Sequence, residues 1–111
     1  MELYEKFKTT RQEPVRLAAA LEGFFQEDLG PGERQEYGRY LRRRIRPAME
    51  ALIAGEELEK LEALERQGWF GERELEGFLE TARRLEKPAA LMWLLHLKNQ
   101  KYGYREEDFS L

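Results

Sequence analysis

The sequence contains no cysteine and a single histidine among its 111 residues. Without cysteine the chain can form no disulfide, thiolate zinc site, iron–sulfur cluster or cysteine nucleophile. His96 is read as a core or boundary residue rather than a general base, because Ser110 is the only serine and no catalytic pattern accompanies it. The glutamate-rich helices, which are the predicted helices between residues 50 and 86, lack the Glu-x-x-His pair of a di-metal bundle. We therefore expect no enzyme, no catalytic residue, no metal site and no cofactor.

Long apolar runs are also missing. The longest, residues 88–95, is far shorter than the roughly 20 residues that a membrane-spanning helix needs. The first eight residues, MELYEKFK, mix acidic and basic side chains and contain no apolar core of a signal peptide. We therefore expect a cytoplasmic location and no membrane partner.

Residues that favour strands are scarce, since the β-branched apolar residues are limited to Val15, Ile45 and Ile53. Leu, Glu, Arg and Ala dominate instead, and these are strong helix formers. The length fits one domain. The sequence thus predicts an all-α single domain over residues 1–111, either an irregular bundle or a short helical-repeat array. It predicts five to six helices and a short irregular tail at about 104–111.

Apolar spacing together with Gly and Pro breakers predicts helices over residues 12–28, from Glu33 across Pro47, and over 56–67, 72–86 and 88–100. Pro47 either kinks one helix or separates two. The apolar stripe keeps its phase across the proline, which favours one kinked helix. The last helix is apolar on nearly all sides from Ala89 to Leu95, which predicts a position at the centre of the bundle.

A faint internal repeat has a period of about 40 residues, in the range of paired-helix repeats. Pro-Ala recurs at 47–48 and 88–89, and Glu-Arg recurs at 33–34 and 72–73. The alternative is a simple bundle with two independent prolines. Residues 56–102, from EELEKLEALERQGWFG to AALMWLLHLKNQKY, resemble ankyrin-like and HEAT-like helical-repeat segments of uncharacterised bacterial proteins. That resemblance implies a protein-interaction scaffold and assigns no functional residue.

Charge is unevenly distributed along the chain. Residues 34–46, the arginine segment, hold six arginines and one glutamate, whereas residues 50–86 hold eleven glutamates and five cationic residues. Arginine pairs bidentately with carboxylate or phosphate, and Tyr37 and Tyr40 beside it could stack on bases. The arginine segment is therefore a solvated face paired with the glutamate-rich helices, a surface for a protein or a second copy, or a nucleic-acid-binding face.

The aromatic residues Trp69, Phe70 and Trp93 are either core residues or the lining of a hydrophobic groove for a partner helix. Near the C-terminus, Tyr102, Tyr104, Phe109 and Leu111 form either a docking tail or a frayed end packed partly on the last helix.

Taken together, the sequence predicts a non-enzymatic protein–protein interaction module that is able to self-associate, with an aromatic groove rimmed by arginines. The alternative is a nucleic-acid-binding regulator that uses the arginine segment. The predicted binding residues are Arg39, Tyr40, Arg42, Arg43, Arg44, Arg46, Trp69, Phe70 and Trp93.

Overall fold

The computed structural model describes residues 2–103, which contain seven α-helices and no strand. The predicted all-α class is confirmed, but the predicted count of five to six helices is too low because the short first helix was not expected. The predicted tail at 104–111 lies outside the described residues. The helices are α1 (Leu3–Thr9), α2 (Glu13–Gly23), α3 (Pro31–Arg43), α4 (Ile45–Ala54), α5 (Leu58–Arg66), α6 (Glu72–Arg84) and α7 (Pro88–Tyr102).

The region around Pro47 forms two helices, so the favoured single kinked helix is wrong. The helical conformation is lost at Arg44, with φ −117° and ψ 33°, three residues before the proline. Pro47 is then the third residue of α4, where its missing N–H would have had no partner within the helix. The Ala48 N–H donates to the Arg44 carbonyl over 2.9 Å, which begins the hydrogen bonding of α4.

The described residues fall into two compact units that divide between Ala48 and Met49. In the first unit α2 packs against both α1 and α3. Its core is aromatic, since the Phe7 ring lies 4.8 Å from the Tyr37 ring and 5.3 Å from the Tyr40 ring. Gly23 permits this packing, because a Cβ at that position would lie 2.3 Å from Cζ of Tyr37.

In the second unit α7 packs against α6 and contacts α5. The connection between α4 and α5 caps α7, since the Glu56 carboxylate accepts hydrogen bonds from the N–H groups of Ala89 and Ala90 at 2.8 and 3.1 Å. Glu56 adopts a positive φ of 48° there. The core is formed by Met49, Leu52, Ile53, Leu61, Leu64, Leu75, Phe78, Leu79, Ala82, Ala90, Leu94 and Leu97.

Helix α7 buries one face only, so the prediction that it lies at the centre of the bundle is wrong. Met92 is 66% exposed, whereas Ala90, Leu94 and Lys98 recur four residues apart along the buried stripe. The ammonium of Lys98 is buried on that stripe and pairs with Glu76 on α6. Within residues 2–103, every helix is too short or too polar to cross a bilayer.

Candidate functional site

A cleft of about 290 Å³ opens on the first unit, and we call it the arginine cleft. Its cationic lining consists of Lys8 from α1, Arg16 from α2, and Arg39 and Arg43 from α3. The last two lie one helical turn apart and therefore share a face of α3. The remaining lining residues are Phe7, Glu36 and Tyr40. Three helices thus bring four cations and one carboxylate to a single cleft.

The one carboxylate of the cleft keeps its negative charge but is held by a tyrosine. Glu36 accepts a hydrogen bond from the Tyr4 hydroxyl, and this bond is the main reason why the pKa of Tyr4 rises to about 12. By contrast, the exposed side chains of Arg39 and Arg43 form no hydrogen bond or ion pair among residues 2–48. The cleft therefore carries positive charge that the first unit does not neutralise.

Arg16 is held in place at this cleft. Its Nη2 donates to the Thr10 carbonyl over 2.6 Å, and Thr10 lies in the connection between α1 and α2. The Nε of the same guanidinium is buried and has no hydrogen-bond partner among the described residues. A buried donor without a partner is costly, so the position of Arg16 is not explained by local hydrogen bonding alone.

Tyr40 contributes to the cleft while belonging to the core. The side chain is buried, and its hydroxyl donates to Glu13 over 2.8 Å. Burial and this hydrogen bond raise the pKa of Tyr40 to about 12, and the same bond is the main cause of a lowered pKa at Glu13. Arg44 also pairs with Glu13 at 3.5 Å and lies 5.8 Å from the Tyr40 ring. Arg44 is thus committed to contacts within the unit.

The six arginines of the arginine segment divide into four groups in the structure, and one group is Arg34 alone, whose guanidinium donates to the Phe24 and Gln26 carbonyls at 3.0 and 2.9 Å. Arg39 and Arg43 line the cleft with Tyr40, whereas Arg44 pairs with Glu13. Arg42 and Arg46 are exposed and are not among the described lining residues. Sequence reasoning missed Lys8 and Arg16 because they lie outside the arginine segment and only helix packing brings them to it.

The predicted aromatic residues belong to the second unit. Trp69 and Phe70 lie partly exposed in the connection between α5 and α6, where the Phe70 ring is 5.1 Å from that of Phe78. Trp93 lines a separate cleft of about 240 Å³, which we call the Trp93 cleft, together with His96. Neither Trp69 nor Phe70 is among the described residues that line it. Its other lining residues are Glu62, Glu65, Arg66, Leu97 and Gln100.

Charges at the Trp93 cleft are largely paired. Glu62 pairs with Arg66 at 2.9 Å, and Glu65 pairs with Lys101 at 3.3 Å. Its lining therefore has no cationic or anionic surplus comparable with that of the arginine cleft. Within the part of the chain that the structure describes, no group of three or more histidine, aspartate or glutamate side chains is placed to hold a metal ion.

No protein-family model, curated protein or solved structure matches this chain. Function therefore has to be inferred from the chemistry of the sites, because a helical fold does not fix a function. On charge and geometry the arginine cleft is the stronger of the two clefts as a candidate binding site. It offers cations, an apolar floor and an opening to solvent.

Proposed function

We propose that this chain is a non-enzymatic protein-interaction module of the cytoplasm and that the arginine cleft binds an acidic segment of a partner protein. The observation that carries the proposal is the convergence of four cations on one cleft in which Arg39 and Arg43 have no ion-pair partner within the first unit. Complementary charge steers partners together and fixes their orientation.

Two of the four cations of the cleft, Arg39 and Arg43, form no hydrogen bond or ion pair within the first unit, whereas Arg16 donates to Thr10 and Lys8 lies 5.2 Å from the Tyr4 ring. Like charges held together repel one another, so Lys8, Arg16, Arg39 and Arg43 do not stabilise the first unit through one another. An anionic partner relieves that repulsion and also covers the apolar floor. Binding of the partner therefore offsets the electrostatic repulsion between the grouped cations.

A second copy of the chain is one partner that this chemistry admits. The chain carries its own acidic surface, since exposed glutamates such as Glu59 and Glu80 lie on the glutamate-rich helices. Self-association through such charges predicts a salt-sensitive dimer. Sedimentation velocity at low and moderate salt tests this mode. In the second unit, Trp69, Phe70 and Trp93 are proposed as additional contacts because each is partly exposed.

Nucleic-acid binding is the second candidate. Its support is that Arg42 and Arg46 are exposed and pair with no residue of the first unit. Base stacking receives no support, because Tyr37 and Tyr40 are buried in the core. A nucleic-acid binder shows a steep dependence of affinity on salt that becomes shallower when arginines are neutralised.

The proposed function is tested by affinity capture of partners from a nuclease-treated cell lysate. Three proteins are compared: the native chain, a cleft variant and a control variant. The cleft variant carries Arg39→Gln and Arg43→Gln, and the control variant carries Arg42→Gln and Arg46→Gln, which removes the same charge outside the cleft. We expect protein partners, identified by mass spectrometry, to be retained by the native chain and the control and lost from the cleft variant. Equal retention by all three proteins would refute a role for the cleft.

A further inference from the structure

The chemistry of the arginine cleft narrows the class of anion that it fits. Its cationic lining of Lys8, Arg16, Arg39 and Arg43 faces a single carboxylate, Glu36, which already accepts a hydrogen bond from Tyr4. A single carboxylate ligand would neutralise one of the remaining charges. A phosphate monoester carries a charge of about −1.5 to −2 at neutral pH and matches the surplus better.

The donors also approach from different helices. Arg39 and Arg43 project from α3, whereas Arg16 comes from α2 and is oriented by the Thr10 carbonyl. A carboxylate offers two oxygens in one plane, but a phosphate monoester offers three acceptor oxygens in a tetrahedral arrangement. Arginines that line one cleft from separate helices are therefore satisfied more completely by phosphate.

The floor of the cleft adds a second requirement. Phe7 and Tyr40 supply aromatic surface beside the cations. The volume of about 290 Å³ lies near the lower end of ordinary small-ligand pockets, which begin at about 300 Å³. This combination suits a phosphate with a small organic body, such as one modified side chain, rather than a nucleotide or a long polyanion.

We propose that the arginine cleft binds a phosphate monoester carried by a side chain of a partner protein. This inference rests on the proposed function and specifies its ligand. Arg39 and Arg43 contact the phosphate oxygens from α3, Arg16 contributes from α2, and the aromatic floor packs against the body of the phosphorylated side chain. Lys8 adds a charge from the end of α1.

The test is a calorimetric titration of the full chain with small probes above the second phosphate pKa of about 6. Phenyl phosphate is compared with phthalate, which carries two carboxylates on the same ring, and with benzoate. We expect phenyl phosphate to bind most tightly. We also expect at least about tenfold weaker binding by the Arg39→Gln/Arg43→Gln variant, since about 1.4 kcal/mol of lost charge-assisted hydrogen bonding corresponds to a factor of ten. The Arg42→Gln/Arg46→Gln control should stay within about twofold of the native chain, because neither Arg42 nor Arg46 lines the cleft.

Two further probes separate the sources of the phosphate. A short glycine-flanked phosphoserine peptide should bind, and its unphosphorylated form should not. A single-stranded oligonucleotide carries phosphodiesters only and should bind more weakly than the phosphopeptide. Tighter binding of the oligonucleotide, or equal binding of phthalate and phenyl phosphate, would overturn the phosphate-monoester proposal. A glutamate-rich peptide that binds at the cleft when phenyl phosphate does not would overturn this proposal while leaving the proposed function intact. The absence of binding by every probe would overturn both.

Discussion

The replacement Gly23→Ala tests the packing that forms the first unit and with it the floor of the arginine cleft. The added Cβ would lie 2.3 Å from Cζ, 2.6 Å from the hydroxyl oxygen and 2.7 Å from Cε2 of Tyr37. Carbon atoms in good contact are about 3.5–4.0 Å apart, so the overlap exceeds an ångström. Tyr37 is fully buried, and the Phe7 ring lies 4.8 Å away on another element, so the tyrosine cannot move without displacing its neighbours.

The expected cost can be set against the usual gain from removing a helical glycine. Glycine to alanine in a helix normally stabilises by about 0.8–1.0 kcal/mol. Overpacking a well-packed core typically costs about 1–3 kcal/mol. The difference between these ranges is a loss of up to about 2 kcal/mol, and we expect Gly23→Ala to lower the free energy of unfolding by up to that amount. The matched control is Gly77→Ala on α6, where no described atom beyond the local helix backbone lies within 4 Å of the added Cβ, and where we expect a gain.

Guanidinium denaturation followed by circular dichroism measures both variants, and tryptophan fluorescence reports the second unit because Trp69 and Trp93 both lie there. Tyr37→Phe supplies a second arm, since it removes a buried hydroxyl that has no described partner. We expect Tyr37→Phe alone to be close to neutral or stabilising, and to reduce the cost of Gly23→Ala by at least about 0.5 kcal/mol. A stabilising Gly23→Ala, matching Gly77→Ala, would refute this account of the core.

Three further predictions concern capping, alkaline pH and the buried lysine. Glu56→Ala removes the acceptor of two N–H groups at the start of α7. It should lower the free energy of unfolding, measured by denaturation, by about 0.5–2 kcal/mol. An unchanged stability would show that the cap is dispensable. The pKa values of Tyr4 and Tyr40 are raised from 10 to about 12. Their contribution to the stability of the fold is therefore complete below pH 10 and is lost as the pH rises towards 12. Thermal unfolding across that range should show falling stability with late phenolate absorbance, and a flat profile would contradict it. Glu76→Ala should lower the free energy of unfolding by about 1–3 kcal/mol, because it leaves the Lys98 ammonium buried without the Glu76 carboxylate. Lys98→Met should lower it by less, since that variant removes the buried charge. The reverse order would contradict the pairing.

Local signals in the sequence predicted the helix ends that are set by the backbone preferences of single proline and glycine residues. Pro88 begins α7 and Gly103 ends it with a φ of 78°, as expected from the restricted φ of proline and the freedom of glycine. Gly68, which directly follows the predicted end of a helix at residue 67, likewise has a φ of 74° after α5. Helix α1 was missed because seven residues without a side-chain cap give little local signal and depend on packing.

Features that depend on tertiary packing were the ones that the sequence could not supply. The arginine segment was recognised from charge, but the distinction between Arg43 in the cleft and Arg44 paired with Glu13 depends on where α2 lies. Lys8 and Arg16 are single cations in mixed surroundings, so no spacing marked them. The apolar run of α7 suggested burial on all sides, whereas Met92 remains exposed because only one stripe packs against α5 and α6.

The central claim is that Arg39 and Arg43 hold an anionic group at the arginine cleft. Nuclear magnetic resonance of the arginine side-chain Nε–Hε groups during a titration with phenyl phosphate tests it most directly. We predict that the signals of Arg39 and Arg43 shift in a saturable manner while those of Arg42 and Arg46 remain nearly unchanged. Equal shifts at all four arginines, or no shift at the two that line the cleft, would contradict the claim.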